Sequence, residues 1–271
     1  CADYREFAKS IGLDDIQAIP LSALKGDNII AHSELTSWYS GPTMLQHLEE
    51  LPVGEARLEA PFRMPVQWVN RPNLDFRGFS GQVASGVVRP GDRIKALPSG
   101  KESRVARIVT FDGDLECAIA GQSITLTTED EIDISRGDVI TTAADPCAVA
   151  DQFQSTILWM ADEPMLPGRP YIMKIGAQEA TLTPARPKHK INVNTMANEP
   201  ARTLALNEIG ICNISLDRDI AFDAYSDNMV MGAFIIIDRM TNNTVGMGLI
   251  NFALRRASNI HWQSMDINKE A

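Results

Sequence analysis

From Phe62 onward the chain alternates apolar and polar residues in short runs, and Gly, Pro, Asp or Asn closes most of them. A period of two sends successive side chains to opposite faces of a strand, so this pattern predicts an all-β region. Phe62, Met64, Val66 and Trp68 begin it. Turn signals at Arg89-Pro90-Gly91-Asp92, Phe111-Asp112-Gly113-Asp114 and Arg136-Gly137-Asp138 break residues 58–145 into segments suited to a small closed barrel. Residues 142–149, with Asp145-Pro146, read as a linker. A second β unit over 150–254 then runs through Phe153, Ile157 and Trp159 to later strands such as Phe234-Ile235-Ile236-Ile237.

Residues 1–55 have another texture. Tyr4, Phe7, Ala8 and Ile11 recur at helical spacing before Gly12, a residue suited to ending a helix. Residues 16–21 form an apolar run that predicts a strand, and the polar turn Ser22-Ala23-Leu24-Lys25-Gly26-Asp27-Asn28 follows. Met44, Leu45, Leu48 and Leu51 share one helical face, stopped by Pro52 and Gly54. Helix, strand, loop, helix belongs to an α/β sheet, and one strand makes no sheet. A chain that opens on Cys1 and runs straight into a helix reads as the interior of something longer.

Charge and cysteine usage exclude several functions. The formal charge of −10 gives no general attraction to nucleic acid or anionic lipid, and no apolar run reaches the roughly 18 residues that span a bilayer. Cys1, Cys117, Cys147 and Cys212 lie far apart without a C-x-x-C pair, which fits buried, reduced thiols in a cytoplasmic protein better than disulfides or zinc.

Several phrases carry a resemblance. A strand ending in Ile19-Pro20-Leu21 and leading into Ser22-Ala23-Leu24-Lys25 resembles the last guanine-recognition loop of GTPases. Gly121-Gln122-Ser123-Ile124-Thr125-Leu126 and Arg136-Gly137-Asp138-Val139-Ile140 in the following barrel make the order similar to translation-factor GTPases such as elongation factor Tu. Within that superfamily the chain resembles the large, GTPase subunit of bacterial sulfate adenylyltransferase. Pro20 to Leu24 with Gly26-Asp27-Asn28, Trp38-Tyr39-Ser40-Gly41-Pro42-Thr43, Phe62-Arg63-Met64-Pro65-Val66-Gln67 and Leu204-Ala205-Leu206-Asn207-Glu208-Ile209-Gly210 carry it. Phe234 to Arg239 and Thr244-Val245-Gly246 extend it. Asn251-Phe252-Ala253-Leu254-Arg255-Arg256 and Asn259-Ile260-His261-Trp262-Gln263 resemble the junction to a fused adenylylsulfate kinase domain.

The resemblance implies a mostly β fold: a C-terminal remnant of an α/β GTPase domain over 1–55, barrels over 58–145 and 150–254, and a tail or kinase linker over 255–271. It implies a small catalytic subunit as partner, which makes adenylylsulfate and pyrophosphate from ATP and sulfate while the large subunit hydrolyses GTP. Ser22, Ala23 and Leu24 become the guanine-binding residues, with Lys25 as a neighbour. GTP and Mg²⁺ are expected in the intact parent. This chain has no G-x-x-x-x-G-K-[ST] phosphate loop and no N-K-x-D motif before residue 16, so by itself it is expected to bind neither and to have no catalytic or metal-binding residue. The alternative is an elongation-factor-like module whose barrels grip aminoacyl-tRNA.

Other features have plainer readings. Arg136-Gly137-Asp138 is expected to be a strand-entry turn rather than an adhesion signal. Glu129, Asp130, Glu131 and Asp133 read as solvated turn residues. His32, His47, His189 and His261 lack metal-ligand spacing. Arg186, Lys188, His189 and Lys190 form the one dense basic spot, read as a solvated strand edge with subunit contact as the other possibility.

Overall fold

The computed structural model describes residues 1–51, 55–73 and 76–254. The expectations for residues 255–271, and for Pro52 and Gly54 as helix stops, fall outside these. The chain separates into two compact units, residues 1–55 and 56–271.

In the first unit, helix α1 (Ala2–Ser10) ends where Gly12 takes a φ of +78°. Helix α2 (Met44–Glu50) starts at Thr43, whose hydroxyl accepts the amide of Gln46, satisfying a donor the helix cannot. The strand predicted over 16–21 does not form. That segment is extended, but a strand exists only through pairing, and no other described segment of the chain runs beside it.

The second unit begins within helix α3 (Glu55–Glu59), and its regular elements beyond that are strands apart from one short helix. The first barrel contains β1 (Arg63–Pro65), β2 (Trp68–Asn73), β3 (Phe76–Gln82), β4 (Val87–Val88), β5 (Arg93–Leu97), β6 (Lys101–Thr110), β7 (Gly113–Asp114), β8 (Ala118–Ile119), β9 (Ser123–Thr128) and β10 (Val139–Thr142). Its main sheet runs β1-β10-β5-β6-β9-β3-β2. Closure comes from a bend: Val66 donates to Asp138 beside β10, and Gln67 donates to Ser80 on β3. The bend also breaks the alternation, so Phe62, Met64 and Val66 are buried while Trp68 is turned outward. Phe79, Ile108, Leu126 and Ile140 complete a core with no measurable exposure.

The second barrel is built from β11 (Ala148–Trp159), β12 (Tyr171–Ile175), β13 (Gln178–Pro184), β14 (His189–Ile191), β15 (Asn198–Glu199), β16 (Ile209–Phe222), β17 (Ala233–Ile237) and β18 (Thr244–Ala253), with the short helix α4 (Met229–Gly232) before β17. Its order is β11-β18-β17-β12-β13-β16, and pairing of β16 back onto β11 closes six strands into a ring. Phe153, Ile157 and Trp159 from β11 point inward with Met173, Leu182 and Ile236. Phe153 meets Phe222 edge-on, ring centroids 4.7 Å apart, a favoured aromatic geometry.

Two plainer readings need correction. The basic spot is not a strand edge: β14 lies between β16 and β15, and Lys190 is engaged by Glu208 at 2.6 Å and Glu199 at 3.9 Å. Nor are all four thiols buried: Cys147 and Cys212 are, but Cys1 and Cys117 are exposed. The acidic run is largely exposed; Asp130 accepts from the Ser103 hydroxyl and Asp133 pairs with Arg77. Among the described residues no cluster of His, Cys, Asp and Glu could hold a metal, and no helix is long and apolar enough to cross a membrane.

Candidate functional site

The three residues expected to meet guanine sit on one exposed turn. Ser22 pairs with Asp27 through its amide, its carbonyl accepts from Gly26, and its hydroxyl accepts from the Lys25 amide at 3.3 Å. Gly26 has a φ of +80°, the left-handed conformation that lets the chain reverse here at little cost. Within this frame the amides of Ala23 and Leu24 have no hydrogen-bond partner among the described residues. The Leu24 side chain is 96% exposed. The turn therefore offers two adjacent free N–H donors, flanked by one small and one apolar side chain.

Asn28 fixes the turn. It is fully buried with φ +54°, and its side-chain amide donates to the Pro20 carbonyl at 2.6 Å and the Thr36 hydroxyl at 2.7 Å. Its side-chain oxygen accepts the Ser33 amide at 2.8 Å, and its own carbonyl accepts the Met44 amide at the start of α2. One side chain thus joins the segment entering the turn to the residues leaving it. Asp27 adds a bond from the Ser33 hydroxyl at 2.7 Å. Further along, Tyr39 donates to the Pro42 carbonyl at 2.9 Å, and its ring passes so close to Gly41 that any Cβ there would collide with it. Asn28 was visible in sequence only as the end of Gly26-Asp27-Asn28, a turn-forming triplet; its role as the organising residue was not.

A second polar centre joins the two barrels. The Arg63 guanidinium on β1 is only 6% exposed; it donates to both carboxylate oxygens of Asp223, at 2.9 and 3.4 Å, just beyond β16. It also donates to the carbonyls of Phe62 at 3.1 Å and Asp145 at 2.7 Å, so the connection between the barrels is held as well. Around it pack Ala84, Leu97 and Val139 from the first barrel, Cys147 from the connection, and Ala221 and Met231 from the second. Burial, with the Asp223 carboxylate nearby, pushes the Cys147 thiol up to about 12, so it stays protonated and unreactive. Asn228 reaches the Ser85 hydroxyl at 3.1 Å, and a Cβ on Gly137 would stand 3.3 Å from the Ala177 carbonyl. Arg136-Gly137-Asp138 is accordingly the turn entering β10 and part of this seam. No local sequence pattern could have announced it, because Arg63 and Asp223 are 160 residues apart.

Comparison with known proteins matches this architecture. Residues 79–141 match the family model described as elongation factor Tu domain 2, and residues 152–251 match GTP-eEF1A C-terminal domain-like. A crystal structure of Sup35 complexed with GMPPNP superposes with a TM-score of 0.69 at 20% identity, over 94% of this chain and 64% of that one. The two barrels are thus domains of the translation-factor type. The chain is similar over nearly its whole length to sulfate adenylyltransferase subunit 1 and to bifunctional enzymes. It is 53% identical to the bifunctional enzyme NodQ of Rhizobium sp. (strain N33) over 98% of its length and 41% of the relative's. To the bifunctional enzyme CysN/CysC of Xylella fastidiosa it is 48% identical over 100% and 43%. To sulfate adenylyltransferase subunit 1 of Aeromonas salmonicida it is 47% identical over 99% and 61%. The chain thus spans roughly two-fifths to three-fifths of the length of these relatives.

Proposed function

We propose that this chain is part of the GTP-hydrolysing regulatory subunit of a sulfate adenylyltransferase, in which GTP hydrolysis is coupled to adenylylsulfate formation by a smaller catalytic subunit. The observation carrying this reading is the identity of about half the residues over nearly the whole chain to proteins of that name and to bifunctional NodQ and CysN/CysC enzymes. A fused adenylylsulfate kinase domain downstream and a cytoplasmic location belong to the same reading.

In it, Ser22, Ala23 and Leu24 receive the guanine base. Guanine presents O6 as an acceptor, and the free amides of Ala23 and Leu24 are donors of the right kind on an exposed turn. Asn28 positions that turn and does not itself touch the base. GTP with Mg²⁺, when bound by the parent, supplies the γ-phosphate whose loss releases switch segments. The contribution of the barrels is mechanical: with Arg63 and Asp223 paired across the seam, the two respond to such a change together.

Sulfate-dependent ATP–pyrophosphate exchange, measured on the full-length parent with its small subunit, is expected to rise when GTP is added; no stimulation would remove the coupling. By itself the present chain should show no GTP binding in calorimetry, since it has no phosphate loop. Micromolar affinity would contradict the assignment of phosphate binding to other parts of the parent.

A further inference from the structure

At one end of the second barrel, between the segment following β11 and the hairpin joining β17 to β18, lies a hollow of about 940 Å³. Its floor is rigid. Trp159 and Tyr171 are each 2% exposed and meet edge-on at 5.6 Å, and the indole N–H of Trp159 donates to the Glu163 carbonyl at 2.7 Å. Arg169 lies over the Tyr171 ring and pairs with Asp238. The amides of Thr241 and Met240 also donate to Asp238 and hold its carboxyl below the usual range, so it stays ionised.

Above this floor stand Met160, Leu166 and Met240, which are 47%, 51% and 83% exposed. They line one hollow without being used by the core, and contiguous exposed apolar side chains of this kind mark interaction surfaces. Methionine suits such a surface because its unbranched thioether adapts to an incoming shape. Asp162 and Glu163 are exposed among the lining residues. Arg169 is the one cation among those residues, and Asp238 already engages it, leaving the hollow net negative.

We propose that this hollow is the docking site for a basic segment of the catalytic subunit. The segment places an apolar side chain among Met160, Leu166 and Met240 and a lysine or arginine against Asp162 and Glu163. The acidic rim selects the charge, and the apolar centre over a stiff aromatic floor supplies the contact area that dominates such interfaces. Which partner carries the segment rests on the proposed function; that the hollow takes a basic, apolar-anchored chain rests on its own residues.

The test places a benzophenone photo-crosslinking side chain at Met240 in the full-length parent, with a control at Phe111, a fully exposed position on the first barrel. Both proteins are co-expressed with the small subunit. Expected is a crosslink from position 240 into a lysine- or arginine-bearing segment of that subunit, with none from position 111. The double charge reversal Asp162→Lys and Glu163→Lys should weaken association about tenfold at low salt and less at high salt, with melting unchanged. If the subunits co-purify and position 240 crosslinks only to a second copy of the chain, or to nothing, the docking site is refuted while the functional reading stands. If the subunits do not associate at all, both fall.

Discussion

Residues 1–55 and the barrel-bearing remainder are held together by different forces. In the first unit Ala8 is the single buried apolar residue among those described, and the other two buried residues, Asn28 and Thr43, are polar. Tyr4, Phe7, Leu35, Trp38 and the apolar face of α2 are exposed. Its shape rests on hydrogen bonds converging on Asn28. The second unit has two extended apolar cores and a third cluster at the seam. The difference teaches that a turn can be defined by a few directional bonds, which fix positions without needing volume, whereas the barrels are fixed by close packing.

Substitutions at three places in the molecule can break or sharpen this contrast. The largest effect is expected in a barrel core. Phe153→Ala removes a fully buried ring and should lower stability by about 4 kcal/mol, read from the shift of the urea midpoint. Next is the seam: Arg63→Met leaves the Asp223 carboxylate, only 16% exposed, without its partner and should cost about 3 kcal/mol. The double variant Arg63→Met with Asp223→Leu should recover much of that loss, because burying the pair carries its own desolvation cost. If the single variant costs nothing, the seam is apolar packing with an incidental ion pair.

Asn28→Ala should have the smallest effect, and a local one. Three side-chain hydrogen bonds disappear and a non-glycine residue without a compensating side chain remains at positive φ, a loss of about 2 kcal/mol confined to the first unit. Hydrogen exchange should speed up at the amides of Ser33 and Met44, while the barrel melting transition stays in place. A global loss of stability would show that the two units share more than the contrast allows.

The legibility of the chain follows the same division. Period-two alternation and Gly, Pro and Asp turns announced the barrels, because burying one face of a strand writes itself into every second residue. Met64 and Val66 obeyed the pattern, and Trp68 did not, because a bend at Val66 and Gln67 turned the face over; such a bend is set by which strands lie on either side. The apolar run at 16–21 looked like a strand from composition but has no pairing partner among the described residues. At the candidate site, Ser22, Ala23 and Leu24 could be named from the phrase they form, whereas the free amides of Ala23 and Leu24 came from the turn's geometry.

By itself the sequence determined the secondary-structure class, the turn positions and the family phrases, all of which depend on residues adjacent along the chain. Tertiary structure alone decided that Arg63 would meet Asp223, that Cys147 would be sealed while Cys117 stayed exposed, and that Met160, Leu166 and Met240 would gather around one acidic hollow. The physical reason is that these depend on contacts between distant segments. Residue type specifies only that a side chain must be buried or paired, and the closing of the barrels specifies with what.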